Sequence, residues 1–252
     1  MPKQNHSADE DTVTADQIAY YRAQAPEYDK WWNREGAWDL GPEFNAAWAA
    51  EIEAVRTVLD DFNPAGDVLE LAAGTGGLTL ELARHARYIT AVDASPEALD
   101  INRAKLAKVR VPVEYVVADL FEWEPPRLYD VAFFSFWLSH VPRGRFENFW
   151  SLVDRSLRPS GRFFFLDNAG PERDRFSGLD TPHSTGIVRG PRSLTDLSAG
   201  TSIREVADGR KFQVVKRYWA PDDLRAELEA QGWEVTVAET AWAFIYGYGW
   251  RT

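Results

Sequence analysis

The chain contains a glycine-rich turn between a predicted strand and a predicted helix, and this turn limits the possible folds more than any other feature. An apolar run that begins at Val68 passes through Ala72-Ala73-Gly74-Thr75-Gly76 into an amphipathic segment. Glycine suits such a turn because it adopts backbone conformations that other residues avoid and has no Cβ to obstruct a ligand. The pattern is typical of open α/β sheets that bind nucleotide-like ligands at the strand ends. Taken alone, the turn does not exclude a tight connection that binds nothing.

The region around this turn alternates short apolar runs with amphipathic segments. Such alternation predicts repeated strand–helix units and a mostly parallel sheet. The predicted strands are 67–71, 88–92, 113–117, 130–135 and 161–167, and the predicted helices between them are 77–87, 96–108 and 145–157. Residues 157–161 read as a helix stop and turn.

The C-terminal part continues the same fold after a long connection at about 170–200. Strands at 202–206 and 212–218 flank an Asp208-Gly209 turn and read as a hairpin. A last helix at 221–231 and a strand pair at 234–240 and 242–248 follow. We therefore predict an α/β fold: a Rossmann-like, seven-stranded, mostly parallel sheet with helices on both faces and a β-hairpin insertion after strand five.

The N-terminal part precedes the sheet. Residues 1–12 are polar and without periodicity, which predicts a disordered tail. Residues 15–32 have Ile18, Tyr21, Ala25 and Tyr28 at helical spacing, with a possible kink at Pro26, and 42–61 predict a second helix.

Three acidic residues lie at predicted strand ends. Asp93 ends the second strand, where a carboxylate accepts both hydroxyls of a ribose. Glu70 precedes the turn and would repel a pyrophosphate, whereas it suits the cationic amino and sulfonium groups of S-adenosylmethionine. Asp119 follows the third strand and suits an adenine amino group, with Leu120 and Phe121 covering the base. Each acid alone also fits a helix N-cap, but the combination favours S-adenosylmethionine over a dinucleotide.

These residues together resemble the class I S-adenosylmethionine-dependent methyltransferases over about residues 15–248. Glu70 to Gly76 resembles the first motif of that family, Asp93 and Asp119 resemble its later acids, and the runs 129–134 and 157–161 resemble its fourth strand and the approach to its fifth. The resemblance implies the cofactor S-adenosylmethionine. The implied cofactor contacts are Tyr21, Tyr28, Glu70, Ala72, Gly74, Thr75, Gly76, Asp93, Ala94, Asp119, Leu120, Phe121 and Ser135.

The first helix also resembles the lid helix of small-molecule and quinone methyltransferases through Tyr21, Ala25, Tyr28 and Asp29. The alternative is a helix that only packs on the sheet. The resemblance implies one domain at 13–252, with lid helices at 13–62, a cofactor-binding core at 67–169, and a loop and hairpin at 170–220 over the acceptor site.

The acceptor site is predicted after strand four, in the segment from Ser135 to Pro142. His140 is the candidate catalytic residue, because imidazole titrates near neutral pH and methylation of a hydroxyl needs a general base. His140 also fits a capping or orienting role. The candidate acceptor contacts are Trp32, Trp137, His140, Asp167 and Asn168. Asp167 and Asn168 suit either acceptor hydroxyls or a cation, and structural turn roles are equally open for both.

Charge and composition narrow the function further. The net charge of −11 disfavours a nucleic-acid partner, because such binding depends on clustered Lys and Arg. The chain has no Cys, no predicted metal site, no secretion signal and no apolar run of the ~20 residues that span a bilayer, so the expected location is the cytoplasm. The sequence does not indicate the oligomeric state.

The predicted function is methyl transfer to a small molecule, with O-methylation favoured because His140 offers a base. N-methylation of an amine is the alternative, since Trp31 and Trp32 offer cation–π contacts. C-methylation and non-catalytic binding of S-adenosylmethionine remain open.

Overall fold

The computed structural model describes residues 6–170, 194–196 and 200–252. Its helices are α1 (His6–Asn33), α2 (Pro42–Phe62), α3 (Gly77–Leu82), α4 (Pro96–Lys105), α5 (Phe146–Ser156) and α6 (Pro221–Ala230). Its strands are β1 (Gly66–Leu71), β2 (Ala86–Asp93), β3 (Val113–Val117), β4 (Tyr129–Ser135), β5 (Leu157–Asn168), β6 (Leu194–Asp196), β7 (Thr201–Glu205), β8 (Lys211–Val215), β9 (Trp233–Glu239) and β10 (Phe244–Arg251).

The main sheet has seven strands in the order β3-β2-β1-β4-β5-β10-β9. Strands β1 to β5 pair in parallel, and β10 runs antiparallel to both of its neighbours. The order reverses beside β1, because β2 lies on one side of it and β4 on the other. Ligands of open α/β sheets bind at such a point, beyond the carboxyl ends of the strands. The predicted Rossmann-like, seven-stranded fold is confirmed.

Helices cover both faces of this sheet. Successive residues of β5 alternate between the faces: Phe163 and Phe165 pack with α5 and α6, whereas Phe164 and Leu166 pack with α2 and α3. The period of two in a strand produces this division, so one apolar strand contributes to two cores.

Helix α1 begins earlier than predicted. Residues 6–12 belong to the helix, so the prediction of a disordered tail is wrong for them, and residues 1–5 lie outside the described residues. Glu10 accepts a hydrogen bond from the backbone N–H of Gly144 at 3.2 Å, and Asp11 pairs with Arg145. These long-range contacts stabilise a segment that has no apolar periodicity of its own. Pro26 lies inside the helix, which continues to Asn33.

Two boundaries also differ from the predictions. Helix α3 ends at Leu82, five residues before the predicted end, because β2 already begins at Ala86. Strand β5 begins at Leu157, which pairs with Tyr129, but the next pairing is Arg162 with Val131. The predicted turn at 157–161 is therefore an irregularity within the strand pairing.

The predicted hairpin is confirmed as β7 and β8, which pair antiparallel and form a small sheet with β6. Tyr20 of α1 packs with Val206, Phe212 and Val214 of this region. The hairpin thus lies against α1. Of the predicted loop before it, residues 171–193 and 197–199 lie outside the described residues.

Within the described ranges, no helix is long and apolar enough to cross a bilayer.

Candidate functional site

A cavity lies between α1 and the carboxyl ends of the parallel strands. It encloses about 780 Å³, a value that includes its opening to solvent. Helix α1 forms one wall, and the segments that follow β1, β2, β3 and β4 form the other. The lining residues are Thr14, Gln17, Ile18, Tyr21, Ala25, Tyr28, Ala72, Gly74, Thr75, Asp93, Ala94, Ser95, Ala98, Asp119, Leu120, Ser135, Phe136, Trp137 and His140.

The two glycines of the turn have different roles. Gly74 has φ +53°, and a Cβ built on it would meet no atom within 4 Å, so its backbone faces open space. Gly76 has φ +86°, and a Cβ there would lie 2.6 Å from the Asn102 side chain. Gly74 therefore permits close approach of a ligand, whereas Gly76 permits close packing of α3 against α4.

Asp93 is held by the backbone of this turn. One carboxylate oxygen accepts from the N–H of Gly74 at 2.8 Å, and the other accepts from the N–H of Ser95 at 2.8 Å. Burial raises the pKa of Asp93, while these backbone hydrogen bonds lower it. The carboxylate is thus fixed at the end of β2 on the cavity wall, where a ribose would be bound.

Glu70 lies behind the cavity rather than on its wall. The side chain is buried at 1% exposure, and its Oε2 atom has no hydrogen-bond partner among the described residues. Burial, and to a smaller extent the neighbouring Asp93, raise the pKa of Glu70 from 4.5 to about 8, although a hydrogen bond with Thr79 opposes the shift. A buried carboxyl with an unpaired oxygen is costly unless a polar or cationic group satisfies it.

We expect the Glu70→Gln variant to be more thermostable than the wild type at alkaline pH without cofactor. Between pH 4.5 and about 8 the folded state holds a proton that the unfolded state lacks, so stability decreases as pH rises through this window. The melting temperatures should be similar at pH 5, and the variant should melt higher by roughly 5 °C at pH 8.5.

Thermal unfolding of both proteins between pH 5 and pH 9 measures this difference. Glu53→Gln is the control, because the Glu53 side chain is 70% exposed. A difference between wild type and Glu70→Gln that does not change with pH would contradict the expectation.

Polar contacts fix α1 over the glycine-rich turn. Thr75 donates its hydroxyl proton to Asp29 at 2.6 Å, and Asp29 also pairs with Lys105 of α4 at 2.6 Å. Arg22 forms an exposed ion pair with Glu97 at 2.8 Å. The Tyr-Asp pair that resembles a lid helix therefore places Tyr28 on the cavity wall and Asp29 against the turn.

His140 also lines the cavity and lies in a short 3-10 turn after β4. Its Nδ1 is 2.6 Å from the carbonyl oxygen of Val215, and its Nε2 is 2.7 Å from the Tyr21 hydroxyl. A carbonyl oxygen only accepts, so Nδ1 carries the proton in the neutral ring. Nε2 therefore has a lone pair, which accepts a hydrogen bond from the Tyr21 hydroxyl.

The surroundings keep His140 neutral. Burial lowers its pKa well below 6.5, and the positive charges of Lys216 and Arg204 lower it further. The imidazole is 3% exposed and nevertheless reaches the cavity wall. A neutral imidazole with an unprotonated Nε2 is the form that acts as a general base.

Buried polar groups hold the turn that carries His140. Asp167 accepts from the backbone N–H of Ser139 at 2.7 Å, and Lys216 donates to the Ser139 hydroxyl at 2.9 Å. Gln17 donates to the His140 carbonyl at 3.2 Å and accepts from the Val215 N–H at 3.0 Å. Asp167 thus positions the turn and does not reach the cavity wall.

Of the two tryptophans predicted to contact the acceptor, Trp137 lines the cavity and Trp32 does not. Trp32 packs against Trp48 at 6.1 Å between ring centroids and does not line the cavity. The Arg34 guanidinium lies 3.4 Å from the centroid of Trp48 and 5.6 Å from that of Trp31. A cation of the chain itself therefore lies within the aromatic cluster, and neither Trp31 nor Trp32 lines the cavity.

The structure brings most predicted site residues together. The predicted residues on the wall are Tyr21, Tyr28, Ala72, Gly74, Thr75, Asp93, Ala94, Asp119, Leu120, Ser135, Trp137 and His140. The predicted residues behind or beside it are Trp32, Glu70, Gly76, Phe121, Asp167 and Asn168. Phe121 packs against Trp137 at 5.7 Å between centroids, and Asn168 pairs with Phe244 in the sheet.

Sequence reasoning missed several wall residues. Thr14 and Gln17 extend the helical spacing of Ile18, Tyr21 and Ala25 toward the N-terminus, so that spacing was the available signal. Phe136 has φ +53°, which is unusual for an aromatic residue and follows from no sequence pattern.

The wall suits S-adenosylmethionine. Gly74 leaves open space over the turn, Asp93 lies at the ribose position, and Asp119 lies on the wall with Leu120 beside it. The unpaired carboxyl oxygen of Glu70 lies behind these groups and favours a cationic ligand.

Comparisons with known proteins agree with this geometry. A family model described as a methyltransferase domain matches residues 68–161. The solved structure described as "DhpI-SAH complex structure" is 32% identical, covers 95% of this chain and 97% of its own, and has a TM-score of 0.72. The "DhpI-SAM-HEP complex" is 34% identical, covers 94% and 97%, and has a TM-score of 0.70.

Curated relatives match over shorter stretches. A ubiquinone biosynthesis O-methyltransferase of Paramagnetospirillum magneticum is 25% identical over 160 residues, which are 60% of this chain and 62% of that protein. A probable cobalt-precorrin-6B C(15)-methyltransferase of Methanobrevibacter smithii is 32% identical over 59 residues, 32% of its length. The chain thus spans less than two thirds of these curated relatives. With a Rossmann-like sheet, a cavity suited to S-adenosylmethionine and near-complete coverage of two solved relatives, the chain belongs to the class I S-adenosylmethionine-dependent methyltransferases.

Proposed function

We propose that this methyltransferase acts on a hydroxyl oxygen of a small molecule, with His140 as the general base. S-adenosylmethionine supplies the electrophilic methyl group when it is bound. The observation that carries the proposal is the state of His140. The Val215 carbonyl fixes the proton on Nδ1, so the lone pair of Nε2 is directed toward the Tyr21 hydroxyl at the cavity wall.

An oxygen acceptor makes use of this base. A hydroxyl is a weak nucleophile until its proton is removed, whereas a neutral amine attacks without a base. A protein that only bound the cofactor would not need a buried neutral imidazole beside the cavity. Neither Trp31 nor Trp32, the pair expected to bind an amine by cation–π contact, lines the cavity, and Arg34 already lies over Trp31, which further favours the oxygen acceptor.

The remaining candidate residues have supporting roles in this proposal. Trp137 contributes an apolar surface to the acceptor side of the cavity, and Asp167 positions the turn before His140. Helix α1 acts as a lid, because its residues form one wall and Asp29 connects it to Thr75. The ubiquinone biosynthesis O-methyltransferase relative is consistent with an oxygen acceptor.

Matched acceptor pairs test the proposal. Purified protein is incubated with methyl-labelled S-adenosylmethionine and with phenol or aniline, and with cyclohexanol or cyclohexylamine. We expect labelled methyl ethers from the hydroxyl members, identified by mass spectrometry. Label on amines alone would establish N-methylation, and cofactor binding without transfer to any compound in this or a wider metabolite panel would indicate a binding protein.

A further inference from the structure

The hydroxyl of Tyr21 occupies the position through which an acceptor would reach His140. Tyr21 lines the cavity, and its Oη lies 2.7 Å from His140 Nε2. The neutral imidazole has one lone pair in the plane of its ring, and this lone pair already accepts a hydrogen bond from the Tyr21 hydroxyl. An acceptor hydroxyl therefore has no free lone pair on His140 to which it can donate.

The Tyr21 oxygen itself still accepts hydrogen bonds. A phenolic oxygen donates one proton and has lone pairs left over, so an acceptor hydroxyl in the cavity donates to Oη without displacing any group. Arg204 is the other described group near this atom, with Nη1 at 3.4 Å. Its guanidinium is positively charged, and within the described residues no carboxylate lies at ion-pair distance from it.

The charges around the pair act in opposite directions on Tyr21 and on His140. Arg204 stabilises negative charge that develops on Oη, because opposite charges attract strongly at a buried site. Asp167 raises the pKa of Tyr21, and Lys216 and Arg204 lower the pKa of His140. Because a separate tyrosinate or imidazolium is thereby disfavoured, the two protons must move together with methyl transfer. Burial raises the pKa of Tyr21, so its hydroxyl is protonated before the reaction.

We propose that Tyr21 is a catalytic residue that relays the acceptor proton to His140, an inference that rests on the proposed O-methyl function. As the acceptor oxygen forms its bond to the methyl carbon, the carbon–sulfur bond breaks and its electron pair stays on sulfur. The acceptor proton moves to Tyr21 Oη, and the Tyr21 proton moves to His140 Nε2. The resulting imidazolium keeps its Nδ1–H bond to Val215 and later releases the extra proton to solvent.

The Tyr21→Phe variant tests this relay. It removes one oxygen atom and keeps the ring, which packs edge-on against His140 at 5.3 Å and against Tyr20 at 5.0 Å between centroids. With the most rapidly methylated hydroxyl compound of the panel, we expect single-turnover methyl transfer to fall by about 10²-fold, as for the loss of an acid–base group. The Kd for S-adenosylhomocysteine should change by less than about fivefold, because the fold and most of the wall are unchanged.

A proton inventory distinguishes a relay from a structural role. Single-turnover rates are measured in mixtures of light and heavy water. Two protons in flight give a curved dependence on the deuterium fraction in the wild type, and direct transfer in Tyr21→Phe gives a linear one. Tyr88→Phe is the matched control, since the Tyr88 hydroxyl bonds to Glu114 at 3.3 Å and Tyr88 does not line the cavity; it should retain the curved inventory and a rate within about threefold of wild type.

The hydrogen bond is also measured without an acceptor. The ¹⁵N chemical shift of His140 Nε2 should move toward the value of an unbonded imidazole nitrogen in Tyr21→Phe and stay unchanged in Tyr88→Phe. An O-methylating enzyme whose Tyr21→Phe variant keeps the wild-type rate, or whose wild-type inventory is linear, overturns the relay alone. Methyl transfer to nitrogen only, in the wild type, overturns the O-methyl assignment and the relay with it.

Discussion

We expect replacement of His140 by glutamine to lower the rate of methyl transfer by about 10²–10⁴-fold, the range typical for loss of a general base. A glutamine amide still donates one hydrogen bond and accepts another, so contacts with Val215 and Tyr21 are retained in kind. It does not take up a proton near neutral pH. The Kd for the cofactor should stay nearly unchanged, because His140 serves the acceptor proton and the ribose and adenine positions lie elsewhere on the wall.

Single-turnover kinetics and calorimetric titration with S-adenosylhomocysteine measure these two effects separately. His85→Gln is the matched control, since His85 bonds to Asp60 at 2.8 Å and does not line the cavity. His140→Ala, with a thermal unfolding measurement, shows the additional cost of losing the hydrogen bonds. A His140→Gln variant that keeps most of its activity would make His140 a structural residue.

The pH dependence of turnover is a second test of His140 as the general base. The lowered pKa of His140 means that the base form is populated throughout the range above pH 6.5. Activity should therefore fall only when pH drops below 6.5 toward the pKa of His140, and this acidic limb should be absent from His140→Gln. Stability follows the same direction, because below pH 6.5 the unfolded chain binds a proton that the folded state does not.

The second large effect concerns Asp93 and the cofactor. We expect Asp93→Ala to weaken binding of S-adenosylhomocysteine by about 10²-fold, close to 3 kcal/mol, as for the loss of a buried charged hydrogen-bond partner. The substitution removes the proposed ribose acceptor and also the carboxylate that orients Gly74 and Ser95. Asp93→Asn keeps one acceptor oxygen, so its loss of affinity should be smaller.

Calorimetric titration of wild type and both variants measures this effect. Asp100→Ala is the control. Asp100 lies in α4, the helix that follows Asp93; it is 73% exposed and pairs only with Arg103 among the described residues. Circular dichroism and thermal unfolding show whether Asp93→Ala remains folded. Equal affinity of the wild type and a folded Asp93→Ala variant would remove Asp93 from the ribose site.

The cofactor half of the site was largely predictable from the sequence because its determinants are local. A strand, a glycine-rich turn and a helix follow one another in the chain, and Asp93 and Asp119 follow their own strands directly. Parallel strands place their carboxyl ends at one edge, so residues that are distant in sequence meet there once the fold class is known. The same reasoning correctly predicted the hairpin and the strand pair at the C-terminus.

Other predictions failed where long-range packing decides. Trp31 and Trp32 lie at the end of a polar helix, and only the fold shows that Trp48, Arg34 and Phe136 surround them. Glu70 was predicted to contact the cofactor directly, whereas its burial behind the cavity wall depends on the sheet around it. The start of α1 depends on contacts with the segment before α5.

The sequence by itself determined the sheet, the glycine-rich turn and the class of cofactor, because strand and helix periodicity and turn chemistry are properties of neighbouring residues. The tertiary structure decided the chemistry of His140. Val215, 75 residues away, fixes the proton on Nδ1, and Tyr21, 119 residues away, occupies Nε2. A histidine has two tautomers and a titratable charge, and both are set by the partners and the burial that folding supplies.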